Sequence, residues 1–456
     1  MISERGLPEV IPALPHFCDV ASLGPFEQSR SLSWSAPLPK LLRVRSRAQV
    51  AAVSDVERAV VAALEPLRGR VSPACSVAVT AGSRGIAELE TIYRTVGRFL
   101  TELGARPFVV AAMGSHGNGN PAGRLGVLAG LGLRAELIGM PIVTTDELVE
   151  IGELDHGPVM IARLAAEADF ILAVNRVKPH TDFHGPIESG LAKILAIGLG
   201  NQAGAAIVHG GGPEQMSSTI VDVADMLVAT GKVLGGLAVL ENERHEVARL
   251  EFVRPEGIGH EAESELLVQA RAMMGSLPFD DLEVLVVSEL GKEISGTGID
   301  PNVIGRMRIE GTPEPEVPKI AVLAVLGLSE ATEGNGVGLG LADITTLRAI
   351  GQLDLATMYL NALTAGRGGI RRAALPIALA TDRDAICASL AVCGERSVDR
   401  RRLVCIRNTI ALSEFLVSES LRPVVDSHPF LEIVDELGSM PFDENGRFVG
   451  WEAESP

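Results

Sequence analysis

The sequence predicts two α/β domains with mainly parallel sheets and an interdomain cleft, and three observations carry that expectation. The chain has 456 residues, more than one hydrophobic core usually organises. From about residue 54 onward, short apolar runs alternate with longer stretches of helical period. The same rhythm starts again near Pro278, so the domains are expected at residues 1–276 and 277–456.

Pro8, Pro12, Pro15, Pro25, Pro37 and Pro39 fix backbone angles and withhold amide donors, so the first 40 residues read as an extended peripheral arm. Ser54-Asp55-Val56-Glu57 has the form of a capping box opening a helix to about Leu67. SVAVT (76–80) reads as a strand before a helix over 86–103, and PFVVAA (107–112) as a strand before a glycine-rich loop and PAGRLGVLAG. DFILAV (169–174) is a third strand, followed by NRVKPH and a helix through IESGLAKILAIGL. Strands separated by helices pair in parallel through right-handed crossovers. Beyond SLPFDD (276–281), the runs 282–288, 320–326 and 376–380 are further strands. GNGVGLGLAD (334–343) lacks the GKS/T of a phosphate loop and reads as a loop entering a helix at Ala342-Asp343. Asp382 and Asp384 read as helix caps, and the last 30 residues as irregular.

Composition narrows the function. A net charge of −18 and a pI near 5.0 have the wrong sign for neutralising phosphates, so nucleic acid is not an expected partner. Five cysteines without a CxxC pair suggest neither a disulfide framework nor a zinc ribbon, which fits a reducing cytoplasm. Glu4, Arg5 and Glu9 interrupt any signal-peptide core, and runs such as 319–328 fall short of a bilayer span, so no membrane partner is expected.

In an open α/β sheet, ligands bind beyond the carboxyl ends of the strands. Arg84 follows the first strand, His116 the second, and Lys178, His180, Asp182 and His184 the third, so three strands aim ionisable groups one way. Glu289 and Lys292 follow the first strand of the second domain, which makes the cleft the expected site. His116 and His180 can titrate near neutral pH and serve two faces of a substrate as acid and base. His156, His245, His260 and His428 stand in polar contexts and read as surface residues. Lys193 sits in an apolar stretch, where burial favours the neutral nucleophilic amine, although a snorkelling lysine gives the same pattern. Ser189 and Gly190 could present hydroxyl and amide groups to a phosphate, and His209 lies a helix and a turn beyond the lysine.

These segments resemble the lactate racemase family of nickel-pincer-nucleotide enzymes. SRG after a strand, MGSHG, NRVKPHTDFHG, ESGLAK, VHG and ELGKEISGTGIDPN occur in the family's order from about residue 76 to 305. The resemblance implies a small-molecule hydroxy-acid substrate and a racemase or epimerase that works by reversible hydride transfer to the nickel-pincer nucleotide. It implies that Lys193 holds this cofactor through a thioamide, with Ser189 and Gly190 beside it, and that His209 ligates the nickel. It assigns His116 and His180 as the acid/base pair, Arg84 as the arginine near the substrate, and Lys292 as the lysine facing the substrate carboxylate.

Three departures bear on the substrate. Ala81 stands where the lactate enzymes carry an aspartate, the loop between His180 and Ser189 is longer, which leaves His184 as an alternative base, and Glu289 replaces a neutral amide. A 2-hydroxy acid larger than lactate, such as a sugar acid whose hydroxyls bond Glu289, is therefore expected. Two other readings use the same residues: a sugar-acid dehydratase or lyase working with the histidine pair and no nickel, and a nucleotide- or cofactor-binding protein without turnover.

Overall fold

The computed structural model describes Leu32 and residues 34–451, apart from Ala48, Ser115, His156, Gly211, Pro213, Glu310, Gly311, Glu395 and Arg396, and apart from the side chains of Asn118, His209, Thr364 and Arg367. The strands are β1 Lys40–Ser46, β2 Ser76–Ala81, β3 Arg106–Ala111, β4 Ile142–Val143, β5 Leu148–Leu154, β6 Gly157–Ala162, β7 Phe170–Arg176, β8 Val233–Glu241, β9 Val247–Val253, β10 Asp281–Val287, β11 Lys319–Val325, β12 Ile344–Thr346, β13 Ile377–Leu379, β14 Leu403–Ile406, β15 Glu414–Ser418 and β16 Leu431–Ser439. They form a six-stranded sheet in the order β4-β3-β2-β7-β8-β9, an eight-stranded sheet in the order β13-β12-β11-β10-β14-β15-β1-β16, and the β5-β6 ribbon. The first five strands of each large-sheet order pair in parallel. β9 joins β8 antiparallel, and β15 and β1 continue the other sheet antiparallel. The α/β class with mainly parallel sheets is thus observed.

The chain divides into two units, and not by a single cut near residue 276. One unit is Ser46–Pro278 with Pro301–Pro315; the other is the described part of Met1–Arg45 with Phe279–Asp300 and Glu316–Pro456. The difference at the N-terminus comes from β1, whose Leu41, Leu42 and Val44 are buried and which pairs with β15 at Leu41↔Ser418. Pairing across so many residues leaves no local mark. Most of the expected peripheral arm lies outside the described residues.

In the six-stranded sheet, alternation decides which side each residue serves. Val77 and Val79 of β2 join a core with Ile92, Phe99 and Leu100 of the helix Leu89–Glu102. Ala78 of β2 and Ala173 of β7 face the other core, with Leu191, Leu195, Ile220 and Leu266. A parallel sheet covered on both faces reads as continuous apolar runs, which is why these strands were visible in the sequence. β8 was not, because Gly235 and Gly236 interrupt it.

Other local expectations are corrected. Asp55, not Ser54, caps the helix Val56–Leu64, accepting the Arg58 N–H at 2.9 Å. Ala342-Asp343 opens no helix: Asp343 accepts the Leu323 N–H at 2.9 Å and leads into β12. Thr381 caps the helix Asp382–Val392, while Asp382 is paired with Arg348 at 2.9 Å. The supposedly irregular C-terminus contains β16. No single helix among the described residues is long and apolar enough to cross a membrane.

Candidate active site

β3, β2 and β7 are neighbours in one parallel sheet, so the loops carrying His116, Arg84 and His180 leave the same edge. All three meet the segment that carries Lys193. That segment is not the straight helix its composition suggests. Leu191–Lys193 makes one α-turn, Ile194–Gly198 is π-helical with the Leu199 N–H bonded to the Ile194 carbonyl at 3.0 Å, and Asn201–Gly210 resumes as an α-helix. The chain bends by 112° between the two apolar pieces. Single π turns are uncommon and often mark functional sites.

Glycine lets the loops approach this turn. A Cβ on Gly198 would lie 2.8 Å from the Ala112 carbonyl oxygen, and the Gly114 N–H reaches the Gly198 carbonyl at 3.5 Å. Beneath the His116 loop, Gly117 has φ +69°, and a Cβ there would stand 2.5 Å from the Arg124 nitrogen. Arg124 is fully buried; its guanidinium donates to the Thr145 carbonyl at 2.9 Å and pairs with Asp146. Sequence reasoning passed over Arg124, since nothing in PAGRLGVLAG distinguishes it from a surface arginine.

The loop after β7 is closed by a two-way backbone pairing of Lys178 and Ser189, at 2.9 and 3.3 Å. Inside it the buried Glu188 accepts the Gly185 N–H at 3.1 Å and the Arg271 guanidinium at 2.7 Å, and meets the His184 ring at 3.3 Å. His184 therefore belongs to the loop's framework. His180 is held differently: its Nδ1 accepts the Asp182 backbone N–H at 3.0 Å, and its ring lies 4.5 Å from that of Phe183. An acceptor Nδ1 places the proton of the neutral ring on Nε2. The exposed His116 is the opposite case, because its Nδ1 lies 2.9 Å from the Met113 carbonyl and must donate, which leaves Nε2 as the basic atom. The two rings are thus set in complementary states, one offering a proton at Nε2 and one accepting there.

Arg84 and Lys193 make no hydrogen bond or ion pair among the described residues. Arg84 keeps an exposed surface, yet desolvation by the surrounding protein and then the Arg176 charge lower its pKa from the guanidinium range, opposed by Asp182. Lys193 is half-buried by surface, but its amine is packed round closely enough that desolvation lowers its pKa to about 8; Lys178 and Arg84 add to this, while Asp182 and Glu188 oppose it. Behind Arg84, Glu241 pairs with Arg176 and accepts the Ala87 N–H at 2.7 Å. Burial would raise the pKa of Glu241, but His245, Arg176 and that N–H hold it down at about 2.

A reactivity follows for Lys193. Acylation by a small anhydride should be half-maximal near pH 8, against about 10.4 for an ordinary lysine. Peptide mass spectrometry over a pH series measures it, and a midpoint above 10 would contradict the enclosure described here.

Gly190 is buried, its carbonyl accepting the Asn175 side-chain N–H at 2.7 Å, and Ser189 is held by its backbone. His209 occupies the last turn of Asn201–Gly210; its side chain lies outside the described residues. In the other unit, the Lys292 ammonium donates to the Gly296 carbonyl at 2.7 Å, and Glu289 accepts from Asn408 at 2.9 Å. Of the remaining histidines, His260 is exposed and paired with Asp225 at 2.9 Å, and His156 lies outside the described residues.

Residues 28–213 match the family model of the lactate racemase N-terminal domain. Among solved structures the chain is similar to the lactate racemase apoprotein from Thermoanaerobacterium thermosaccharolyticum, at 11% identity and a TM-score of 0.47, over 81% of this chain and 94% of that one. It is also similar to a Thermotoga maritima protein solved by the Northeast Structural Genomics Consortium, at 16% identity and a TM-score of 0.43, over 70% of this chain and 81% of that one. No curated protein matches the chain. Arg84, His116, His180, Ser189, Gly190, Lys193 and His209 all fall within the matched residues 28–213, and Lys292 falls outside them.

Proposed function

We propose that the chain is an isomerase, a racemase or epimerase of a 2-hydroxy acid larger than lactate, dependent on a nickel-pincer nucleotide. The observation that carries this reading is Lys193: an enclosed amine with a pKa near 8 and no hydrogen-bond partner among the described residues, at the sheet edge where Arg84, His116 and His180 also emerge.

The residues present fit that cofactor. At pH 7 roughly a tenth of an amine with such a pKa is neutral, which suits attachment through an acyl or thioacyl group. Among the described residues no three His, Cys, Asp or Glu side chains gather to hold a metal ion. A nickel ion here would need most of its donors from the nucleotide, with His209 as the protein ligand the resemblance assigns. When bound, the group supplies a two-electron acceptor for the carbinol carbon, whose C–H is too weakly acidic for direct removal by imidazole.

The protein's own residues do the rest. Arg84, which makes no hydrogen bond or ion pair among the described residues, binds the substrate carboxylate; for Lys292 a role toward that carboxylate is only what the resemblance implies. His116, basic at Nε2, takes the hydroxyl proton as the carbon becomes planar. His180 is the second imidazole, and from its imidazolium form it returns a proton on the opposite face. His184 is committed to Glu188, which favours His180 as the second acid/base. Glu289 remains the residue that suggests extra substrate hydroxyls, as in an aldonate or other sugar acid.

The test is a panel of D- and L-2-hydroxy acids incubated with cofactor-loaded protein and resolved by chiral chromatography, with nickel analysis and the mass of the Lys193 peptide measured alongside. Interconversion of a sugar acid in preference to lactate is expected. Dehydrated product from metal-free protein would replace this reading with a lyase, and a loaded protein inert on every acid would end it.

A further inference from the structure

We propose that the helices Leu355–Thr364 and Gly366–Arg372, together with β13, form the interface through which two copies of this chain make a symmetric dimer. The inference does not depend on the activity proposed above. Tyr359, Leu360, Leu363, Ile370, Leu375 and Ile377 are between 40% and 69% exposed. Tyr359, Leu360 and Leu363 share one face of the first helix, at spacings of three and four residues, while Met358 and Ala362 on its other face are buried. The second helix lies close against the first, since a Cβ on Gly369 would stand 2.2 Å from the Ala362 carbonyl oxygen, and this brings Ile370 alongside the turn that carries Leu363. Leu375 and Ile377 continue the apolar surface to β13, the last strand of the eight-stranded sheet among the described residues.

Size and charge both favour a second copy as the occupant. The six exposures amount to roughly 650 Å², more than the ~300–600 Å² that the largest patch on a monomer usually reaches. Two copies meeting there would bury about 1,300 Å², inside the ~1,200–2,000 Å² of specific interfaces. A chain of net charge −18 repels its own copies wherever carboxylates face one another. On this face none can: no Asp or Glu occurs from Leu355 to Ala380, and the exposed Arg371 is attracted by the acidic body of the other copy. A twofold axis sets the same surface against itself, so the contact closes at two copies and leaves no apolar face bare for a third.

The experiment is sedimentation velocity on the full-length chain over about 1–100 µM, where a species of twice 48.0 kDa is expected to form as concentration rises. The double substitution Leu360→Glu/Leu363→Glu keeps helix propensity and sets carboxylates against one another, so it should raise the dimer dissociation constant at least about tenfold. Val268→Glu, on an exposed position of the helix Glu261–Met273 in the other unit, should leave it unchanged. If the glutamate pair fails to fold, Leu360→Gln/Leu363→Gln, which removes apolar area without adding charge, takes its place. Hydrogen exchange across residues 355–377 should slow as the dimer forms, which locates the contact on this face. A monomer at every concentration overturns the proposal, whether the face then carries the protein onto anionic vesicles in flotation or is already protected within the single chain. A dimer that the folded Leu360/Leu363 variant leaves intact overturns it as well, because the contact then lies elsewhere.

Discussion

Replacing His180 by alanine is expected to lower turnover of the proposed racemisation by about 10²–10⁴, the usual contribution of a positioned acid or base. His116→Ala should do the same. The reason is that inversion needs a base on one face and an acid on the other, and the two imidazoles, each held at Nδ1 by a backbone group, are the groups proposed for these tasks. Removing either ring leaves one face without proton transfer, so the two losses should not multiply in the double variant. His184→Ala should retain turnover within about tenfold, because Glu188 keeps its bonds from Gly185 and Arg271. Chiral assays on loaded proteins decide this, with Lys193 acylation as a check that the turn beneath is intact. Loss of activity in His184→Ala with retention in His180→Ala would exchange their roles; retention in both His116→Ala and His180→Ala would remove proton transfer by imidazole from the mechanism.

What the sequence revealed depended on how local the cause was. β2, β3, β7, β10 and β11 are buried on both faces, so their apolar runs announced them, and with the strands came the loops that follow. That Arg84, His116 and His180 follow the carboxyl ends of neighbouring parallel strands was legible for that reason, since this position is a property of sequence order once the strands are known. β1 and β16 were missed because their partners are distant in the chain, and the β8 pattern was broken by its glycines. Lys193 was noticed for its apolar neighbours, yet the π turn that presents it was not, since it arises from loops pressing on Gly198 and not from any residue within ILAIG. Glu188, Glu241 and Glu263 were invisible as framework residues, because a buried carboxylate is defined by the N–H groups that surround it, and these come from several loops.

Substituting Gly190 by alanine should destabilise the unit containing Lys193 by about 3–5 kcal/mol, the range for breaking the partners of a buried charge. A Cβ on Gly190 would lie 2.1 Å from Glu263 Oε1, far inside contact distance, and the carboxylate has nowhere to withdraw without giving up its own bonds. Glu263 is buried and accepts the Gly259 N–H at 2.8 Å and the Ala192 N–H at 3.2 Å, so it ties the turn before Lys193 to the helix Glu261–Met273. Burial raises its pKa, which means that ionising it in place is already costly and that any lost N–H partner is felt in full. Moving the carboxylate should also loosen the enclosure of Lys193, so its acylation midpoint should climb from about 8 toward the ordinary lysine value. Glu263→Ala should destabilise as well, by leaving those amides unpaired, but in the double variant the new methyl group occupies space the carboxylate has vacated. Denaturant titrations of the four proteins should therefore give a double variant at least 1 kcal/mol more stable than the sum of the single losses predicts, the signature of groups in contact. Additive losses would mean that something other than Glu263 excludes a side chain at position 190, and an unchanged midpoint in Gly190→Ala would mean that the turn bearing Lys193 is not anchored there.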